Sequence, residues 1–344
     1  MSKPVRVGVI GAGANTRARH IPGFKAIPGV EVVAVCNRTK ASGENVANEH
    51  GIRRVTDNWR DIIESPDIDA ICIGTWPNLH GKITVAALRT GKHVLTEARM
   101  ARNLAEAELM LAEARLHPQL VAQIVPAPMS LPFDATVIDM IQAGALGVVR
   151  EVFLTATTGG LADSSLPLSW RQDLMLSGKN TLYLGIYYEM ILRWLGRGVS
   201  SLVADAVIFT KERKDEEAVP QATTIPESVS VLGSYNDGAR LVAHFSGVET
   251  TAPRAEIRIN GSEGGLRLDL TKGELWFAPR GAAEKPVIIA PEKRGAWRVE
   301  ADFIDSIREG KPVRLTNFAT GVDYMRFTEA VWESWSNGRR RVTL

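Results

Sequence analysis

VRVGVIGAGANT, residues 5–16, reads as a buried strand that breaks into glycines and then into helix-forming sequence. Val5, Val7, Val9 and Ile10 suit a parallel strand covered on both faces, and Gly11-Ala12-Gly13 makes a turn in which backbone can press against a ligand. A helix opening directly behind such a turn points free N–H groups and the positive end of its dipole outward, the arrangement that holds a pyrophosphate. A dinucleotide is therefore the first expected ligand, with Gly11, Ala12, Gly13, Asn15 and Thr16 around its phosphates. Thr16 stands where glycine or alanine is usual, so the motif needs the context of later strands.

Working outward, VEVVAVC (residues 30–36) reads as a second strand, and residues 39–50 have helical composition ending at Gly51. DAICIG (69–74) is a third strand, followed by the turn TWPNLH (75–80) and a helix over 81–89. Residues 94–96 are a fourth strand and 103–116 a long amphipathic helix. Strands alternating with helices at this spacing predict a doubly wound parallel sheet of the Rossmann type, over residues 1–125.

Pro126, Pro128 and Pro132 mark a boundary, beyond which the pattern changes. Helices are expected over 134–142 and 182–195, with strand-like segments at 149–157, 202–210, 229–235, 240–245, 255–260, 266–270 and 275–278. Turn residues such as Asn236-Asp237-Gly238 separate them, which predicts an open, mostly antiparallel sheet in a second α/β domain, residues 126–344. One face of such a sheet needs a cover, from those helices or from a second subunit, so a homo-dimer or homo-tetramer through this sheet is expected. Residues 298–309 and 321–337 read as helices that pack back near the first domain.

The bulk composition, 45% hydrophobic and 23% charged in 344 residues, is that of a soluble globular protein of two domains. A net charge of +2 from 41 basic and 39 acidic side chains gives no reason to expect nucleic acid or acidic lipid as a partner. Cys36 and Cys72 lie in apolar runs and read as small buried hydrophobes of a reducing compartment. With no leader pattern and no run of about 18 apolar residues, the cytoplasm is the expected location. The six histidines show no ligand spacing, and no metal is expected.

Five segments together resemble the glucose-fructose oxidoreductase, inositol dehydrogenase and rhizopine-catabolism (Gfo/Idh/MocA) family: GAGANTRARH, TWPNLH, GKHVLTEARM, WRQDLMLSGKNTLYLGIYYEMILRWLG, and NGSEGG with FIDSIREGKPV. The resemblance spans nearly the whole chain in the right order. It implies a nicotinamide dinucleotide, a small sugar-like or polar substrate, and an open sheet used for oligomerisation. Thr75, Trp76, Pro77, Asn78 and His80 would line the cofactor, although His80 can also be read as a residue that only caps and packs. Glu97 would lie near the nicotinamide ribose, beside Ala98, and Trp170 with Arg171 would frame the cofactor or substrate pocket; Arg171 can equally pair with Asp173 on the surface.

NAD selection normally uses Asp or Glu at the end of the second strand to accept both ribose hydroxyls. Asn37 stands there, followed by Arg38, a pairing better suited to a 2′-phosphate; NADP is favoured, with NAD possible. Alternatively Arg38 is simply an exposed residue at a helix start.

The chain departs from the family at the catalytic trio. The EKP segment reads Glu97-Ala98-Arg99, and the aspartate and histidine positions fall on Tyr183 and Tyr187. Those tyrosines, at i and i+4, share a helical face, with Lys179 just upstream. They also form a core-like stripe with Ile191 and Trp194. A phenol of pKa near 10 needs no tuning to act as an acid, so the expected chemistry is carbonyl reduction with Tyr187 as proton donor and Arg99 or Lys179 beside the developing alkoxide. Two other functions fit the pattern: a lyase or glycosidase that retains its nicotinamide, and a dinucleotide-binding regulator without turnover.

Overall fold

A computed structural model describes residues 4–215 and 217–344. Two compact units emerge, one of the chain up to Pro126 with Arg298–Met325, the other of Ala127–Trp297 with Arg326–Leu344. The segment 298–325 thus groups with the first unit and not with the remainder of residues 126–344.

In chain order the helices are α1 (Ile21–Lys25), α2 (Lys40–His50), α3 (Arg60–Ile63), α4 (Pro77–Arg89), α5 (Leu104–Leu116), α6 (Asp134–Gln142), α7 (Leu174–Ser177), α8 (Leu184–Leu195), α9 (Val299–Glu309) and α10 (Phe318–Ser336). The first unit holds strands β1 (Val5–Ile10), β2 (Val30–Cys36), β3 (Arg54–Thr56), β4 (Ala70–Ile73), β5 (His93–Thr96) and β6 (Ala122–Ile124). They lie in the order β3-β2-β1-β4-β5-β6, with every pairing parallel. β4 is buried at all four residues, as a strand covered on both faces must be. The sheet edges β3 and β6 have three residues each, too short for a periodicity to show in the sequence.

Local chemistry sets the helix starts. Trp76 is extended and Pro77 takes the first helical position, so α4 begins four residues ahead of the sequence expectation and absorbs most of the TWPNLH turn. Asn103 caps α5 by accepting from the Glu106 N–H at 2.9 Å. Behind the glycine turn the chain enters a π-helical turn, Thr16–His20, and runs directly into α1.

The second unit carries β7 (Val149–Thr157), β8 (Ser201–Val207), β9 (Glu212–Lys214), β10 (Pro220–Ala222), β11 (Ser228–Ser234), β12 (Arg240–Ser246), β13 (Ala255–Gly261), β14 (Gly264–Asp269), β15 (Glu274–Pro279), β16 (Lys285–Pro286) and β17 (Val342–Thr343). Nine of these form one sheet, β16-β15-β14-β13-β7-β12-β11-β8-β17, while β9 and β10 pair with each other. Among the described residues, only β7 and β12 run parallel in the large sheet. Burial alternates along β8 and β11, which gives the sheet one packed and one outward face. On the outward face the cross-strand partners Val203, Leu232, Val242 and Phe153 form an apolar row over four strands. Leu232 is 51% exposed and Val242 38%.

Both cysteines are buried and free, and burial pushes the Cys36 thiol up to about 12. Among the described residues no helix is long and apolar enough to cross a membrane, and no group of three His, Cys, Asp or Glu could hold a metal ion.

Candidate active site

Gly11 has φ +83, and a Cβ there would stand 2.5 Å from the Thr75 nitrogen, so only glycine lets the turn lie against the end of β4. Across the turn, a Cβ on Gly74 would collide with the Thr16 hydroxyl and the Gly11 carbonyl. Thr16 can therefore occupy the customary third-glycine position because Gly74 supplies the missing volume. Ala12 and Thr16 face inward, while Gly13, Ala14 and Asn15 are exposed at the first helical turn, whose N–H groups have no partner within the helix. Next to Gly13 only the Gly74 carbonyl comes within 4 Å of a would-be Cβ, at 3.7 Å, so the ligand side of the turn is open. These features fit a dinucleotide pyrophosphate.

At the end of β2, the Ala12 N–H donates to Asn37 Oδ1 at 2.7 Å, and Asn37 Nδ2 donates to the Ser42 carbonyl at 3.2 Å. Asn37 thus braces the glycine turn instead of presenting a carboxylate. Arg38 is exposed, with its guanidinium 5.6 Å from the centre of the Trp76 ring. Thr75 and Trp76 are half-buried, Pro77 is buried, and Asn78 Oδ1 is buried with no protein hydrogen-bond partner.

His80 is buried, its Nδ1 2.9 Å from the Arg99 carbonyl and its Nε2 3.0 Å from the Thr75 carbonyl. Burial lowers its pKa, against the opposing pull of the two carbonyls. Both nitrogens face backbone carbonyls, and a neutral ring donates to one of them, so His80 packs against the β4–α4 turn. Arg99 is 4% exposed.

The same unit contains a cluster the sequence did not reveal. Glu97, next to Ala98 just past β5, accepts from His20 Nε2 at 2.9 Å through Oε1, which also takes the Asn15 amide; Oε2 accepts from the Ala98 N–H at 3.2 Å. The other His20 nitrogen, Nδ1, lies 2.5 Å from Glu300 Oε1 in the first turn of α9. Burial alone would push the imidazolium down, but hydrogen bonds to Glu300 and Glu97 override it and raise His20 to about 9. Burial would likewise push Glu97 up, yet the bond and charge of His20 hold it below the usual carboxylate range. His20 sits one helical turn beyond Thr16, a usable signal; Glu300, 280 residues away, gave none.

A raised histidine stabilises the fold fully below its unfolded value near 6.5 and loses that contribution as pH climbs through about 9. The shift corresponds to about 3 kcal/mol. Thermal unfolding is expected to show wild type losing stability relative to His20→Gln between pH 6.5 and 9; parallel curves would contradict the assignment.

In the second unit Tyr183 precedes α8 at its N-cap, and Tyr187 lies one turn in. Their rings meet edge to face at 6.5 Å, and Tyr187 makes a second such contact with Phe245 at 6.1 Å. Tyr183 is 39% exposed and Tyr187 8%. Burial, then the neighbouring Tyr183, pushes the Tyr187 phenol up to about 12. Lys179 is ion-paired with Glu329, and its carbonyl accepts from Trp332 Nε1 at 2.6 Å, so its ammonium is committed away from a role at the tyrosines. Deeper along α8, Trp194 Nε1 donates to Asp134 at 2.6 Å, so the far part of the stripe is packing.

Trp170 and Arg171 occupy a short 3-10 turn closed by a Ser169–Gln172 capping box, with the Arg171 guanidinium 4.2 Å over the Trp170 ring. Asp173 instead accepts from the Met175 N–H at 2.7 Å. Gln172 Nε2 donates to Glu227 at 3.4 Å, and Glu227 pairs with Arg213 at 3.1 Å, both ends fully desolvated. Arg213 also donates to the carbonyls of Leu161 and Asp163, each at 2.7 Å, which ties the Trp170 turn to a buried ionic anchor.

Residues 5–123 match the family model described as an oxidoreductase family with NAD-binding Rossmann fold, and residues 135–267 match the GFO/IDH/MocA C-terminal domain. The chain belongs to the Gfo/Idh/MocA oxidoreductases. Among its Gfo/Idh/MocA relatives, the dTDP-3,4-didehydro-2,6-dideoxy-alpha-D-glucose 3-reductase of Streptomyces violaceoruber is 30% identical over 267 residues, 78% of this chain and 73% of that one. Levoglucosan dehydrogenase of Pseudarthrobacter phenanthrenivorans is 30% identical over 187 residues, 52% of this chain and about half (47%) of that enzyme. The family fold recurs in the crystal structure of an oxidoreductase domain protein from Kribbella flavida, with TM-score 0.89, 24% identity and 99% of both chains covered. Levoglucosan dehydrogenase in complex with NADH and L-sorbose superimposes with TM-score 0.88 at 23% identity over 98% of both chains.

Proposed function

We propose that this protein is an NADP-dependent reductase of a carbonyl on a sugar-like or other small polar substrate, with Tyr187 as the proton donor. The observation that carries the reading is the pair Tyr183 and Tyr187, edge to face at 6.5 Å at the start of α8, with burial holding the Tyr187 phenol protonated, up at about 12. That phenol cannot serve as a ready base, but it remains more acidic than a water-like hydroxyl, near 16, and so can protonate a developing alkoxide. A dihydronicotinamide, when bound, would supply the hydride for the carbonyl carbon; Tyr187 would give its proton to the carbonyl oxygen, yielding the alcohol, and the phenolate would recover a proton from solvent. Tyr183, more exposed, would face substrate at the mouth of the helix. Reduction agrees with the Streptomyces violaceoruber relative, a dTDP-3,4-didehydro-2,6-dideoxy-alpha-D-glucose 3-reductase.

The preference for NADP rests on the end of β2, where the amide of Asn37 is occupied by backbone and Arg38 stands exposed over Trp76. Arg38→Ala is expected to raise the Kd for NADP by about tenfold while changing that for NAD less than about threefold, measured by calorimetry. Equal losses for both nucleotides would overturn the assignment. The outward apolar row Val203–Leu232–Val242–Phe153 supports a homo-oligomer formed through the large sheet.

A further inference from the structure

We infer that His20 is a positioning residue: held by Glu300 on one side, it clamps Glu97 in a fixed, ionised state for the nicotinamide end of the cofactor. The inference rests on the reading of the first unit as a nicotinamide site and adds to it the part that controls its carboxylate.

The geometry requires a proton. A neutral imidazole has one N–H, so a ring lodged between two carboxylates would turn a lone pair toward one of them; only imidazolium donates to both Glu97 and Glu300. The ring itself is fully buried and has no face left for a ligand. Glu97 differs, with 17% of its side chain exposed at the carboxyl edge of the sheet. One of its oxygens takes His20 and Asn15, and the other accepts the Ala98 N–H, which leaves lone pairs for a hydroxyl or amide donor. Asn15 belongs to the exposed turn that fits the phosphates, so both ends of the expected ligand bear on one network.

Glu300 reaches His20 because residue 23, on α1, is glycine: a Cβ there would stand 2.8 Å from the Glu300 carboxyl. The other titratable groups facing the cluster are Cys72 on β4 and His80 on α4. Burial, followed by the charges of Glu97 and Glu300, drives the Cys72 thiol well up, and burial lowers His80, whose nitrogens lie against the Arg99 and Thr75 carbonyls, so neither can replace the imidazolium.

The test is calorimetric titration with NAD and NADP from pH 5.5 to 9.5 on wild type, His20→Gln and Glu300→Gln. Wild-type affinity is expected to vary less than about threefold between pH 6 and 8. His20→Gln, with two carboxylates and no cation between them, is expected to bind about tenfold or more weakly at pH 6 than at pH 8, because Glu97 takes up a proton. Glu300→Gln is expected to show the opposite limb, losing affinity at a lower alkaline pH than wild type as the ring gives up its proton sooner. A uniform loss with an unchanged pH profile in both variants would mean that His20 only packs, and would overturn the inference alone. If His20→Gln does not fold, the alkaline limb of Glu300→Gln decides. Wild type that takes up neither nucleotide overturns both this inference and the nicotinamide reading.

Discussion

Tyr187→Phe is expected to lower kcat for carbonyl reduction by roughly 10²- to 10⁴-fold, the range lost when a positioned general acid is removed. The substitution keeps the ring, and with it the edge-to-face contacts to Tyr183 and Phe245. Fold stability and nucleotide affinity should therefore stay close to wild type, separating a chemical role from a packing one. Tyr183→Phe, at a position more open to solvent, should raise KM more than it lowers kcat. The wild-type pH profile provides a second check: with the phenol up at about 12, no loss of the acid form is expected below about pH 10. Undiminished turnover by Tyr187→Phe would remove this residue from the mechanism and leave the stripe on α8 as core.

The second large effect lies in the anchor beneath the Trp170 turn. Glu227→Leu is expected to destabilise the second unit by about 3–5 kcal/mol, the range seen when one member of a buried ion pair is deleted. Glu227 accepts from the Phe209 N–H at 2.9 Å, the Thr210 N–H at 2.8 Å, Arg213 at 3.1 Å and Gln172 at 3.4 Å. Leucine would leave a desolvated guanidinium and two backbone donors without that acceptor. Urea unfolding reads the loss directly; a change below about 1 kcal/mol would show that the carbonyls of Leu161, Asp163 and Leu166 suffice to hold Arg213.

What the sequence discloses depends on how far apart the interacting residues lie. The glycine turn and its flanking strands are local, and the apolar run of β1 together with Gly11 and Gly13 places the sheet and its ligand edge without coordinates. The fit of Thr16 is not local: it depends on Gly74, whose missing side chain makes room on the far side of the turn. Asn37 illustrates the same limit. Its identity excludes the diol-binding carboxylate, but that its amide braces Ala12 requires the fold. Lys179 is near the tyrosines in sequence, but its partner is Glu329, on α10. The Glu97–His20–Glu300 chain joins three distant segments by charge and leaves no periodicity to read.

A crystal structure of the protein with NADPH bound tests the central claim most directly. The account predicts phosphates seated on the N–H groups of Gly13, Ala14 and Asn15, and the Tyr187 hydroxyl within about 5 Å of nicotinamide C4, close enough to protonate an oxygen on the accepting carbon. A nicotinamide ring found away from both phenols, with Tyr187 enclosed in side-chain packing, would contradict it.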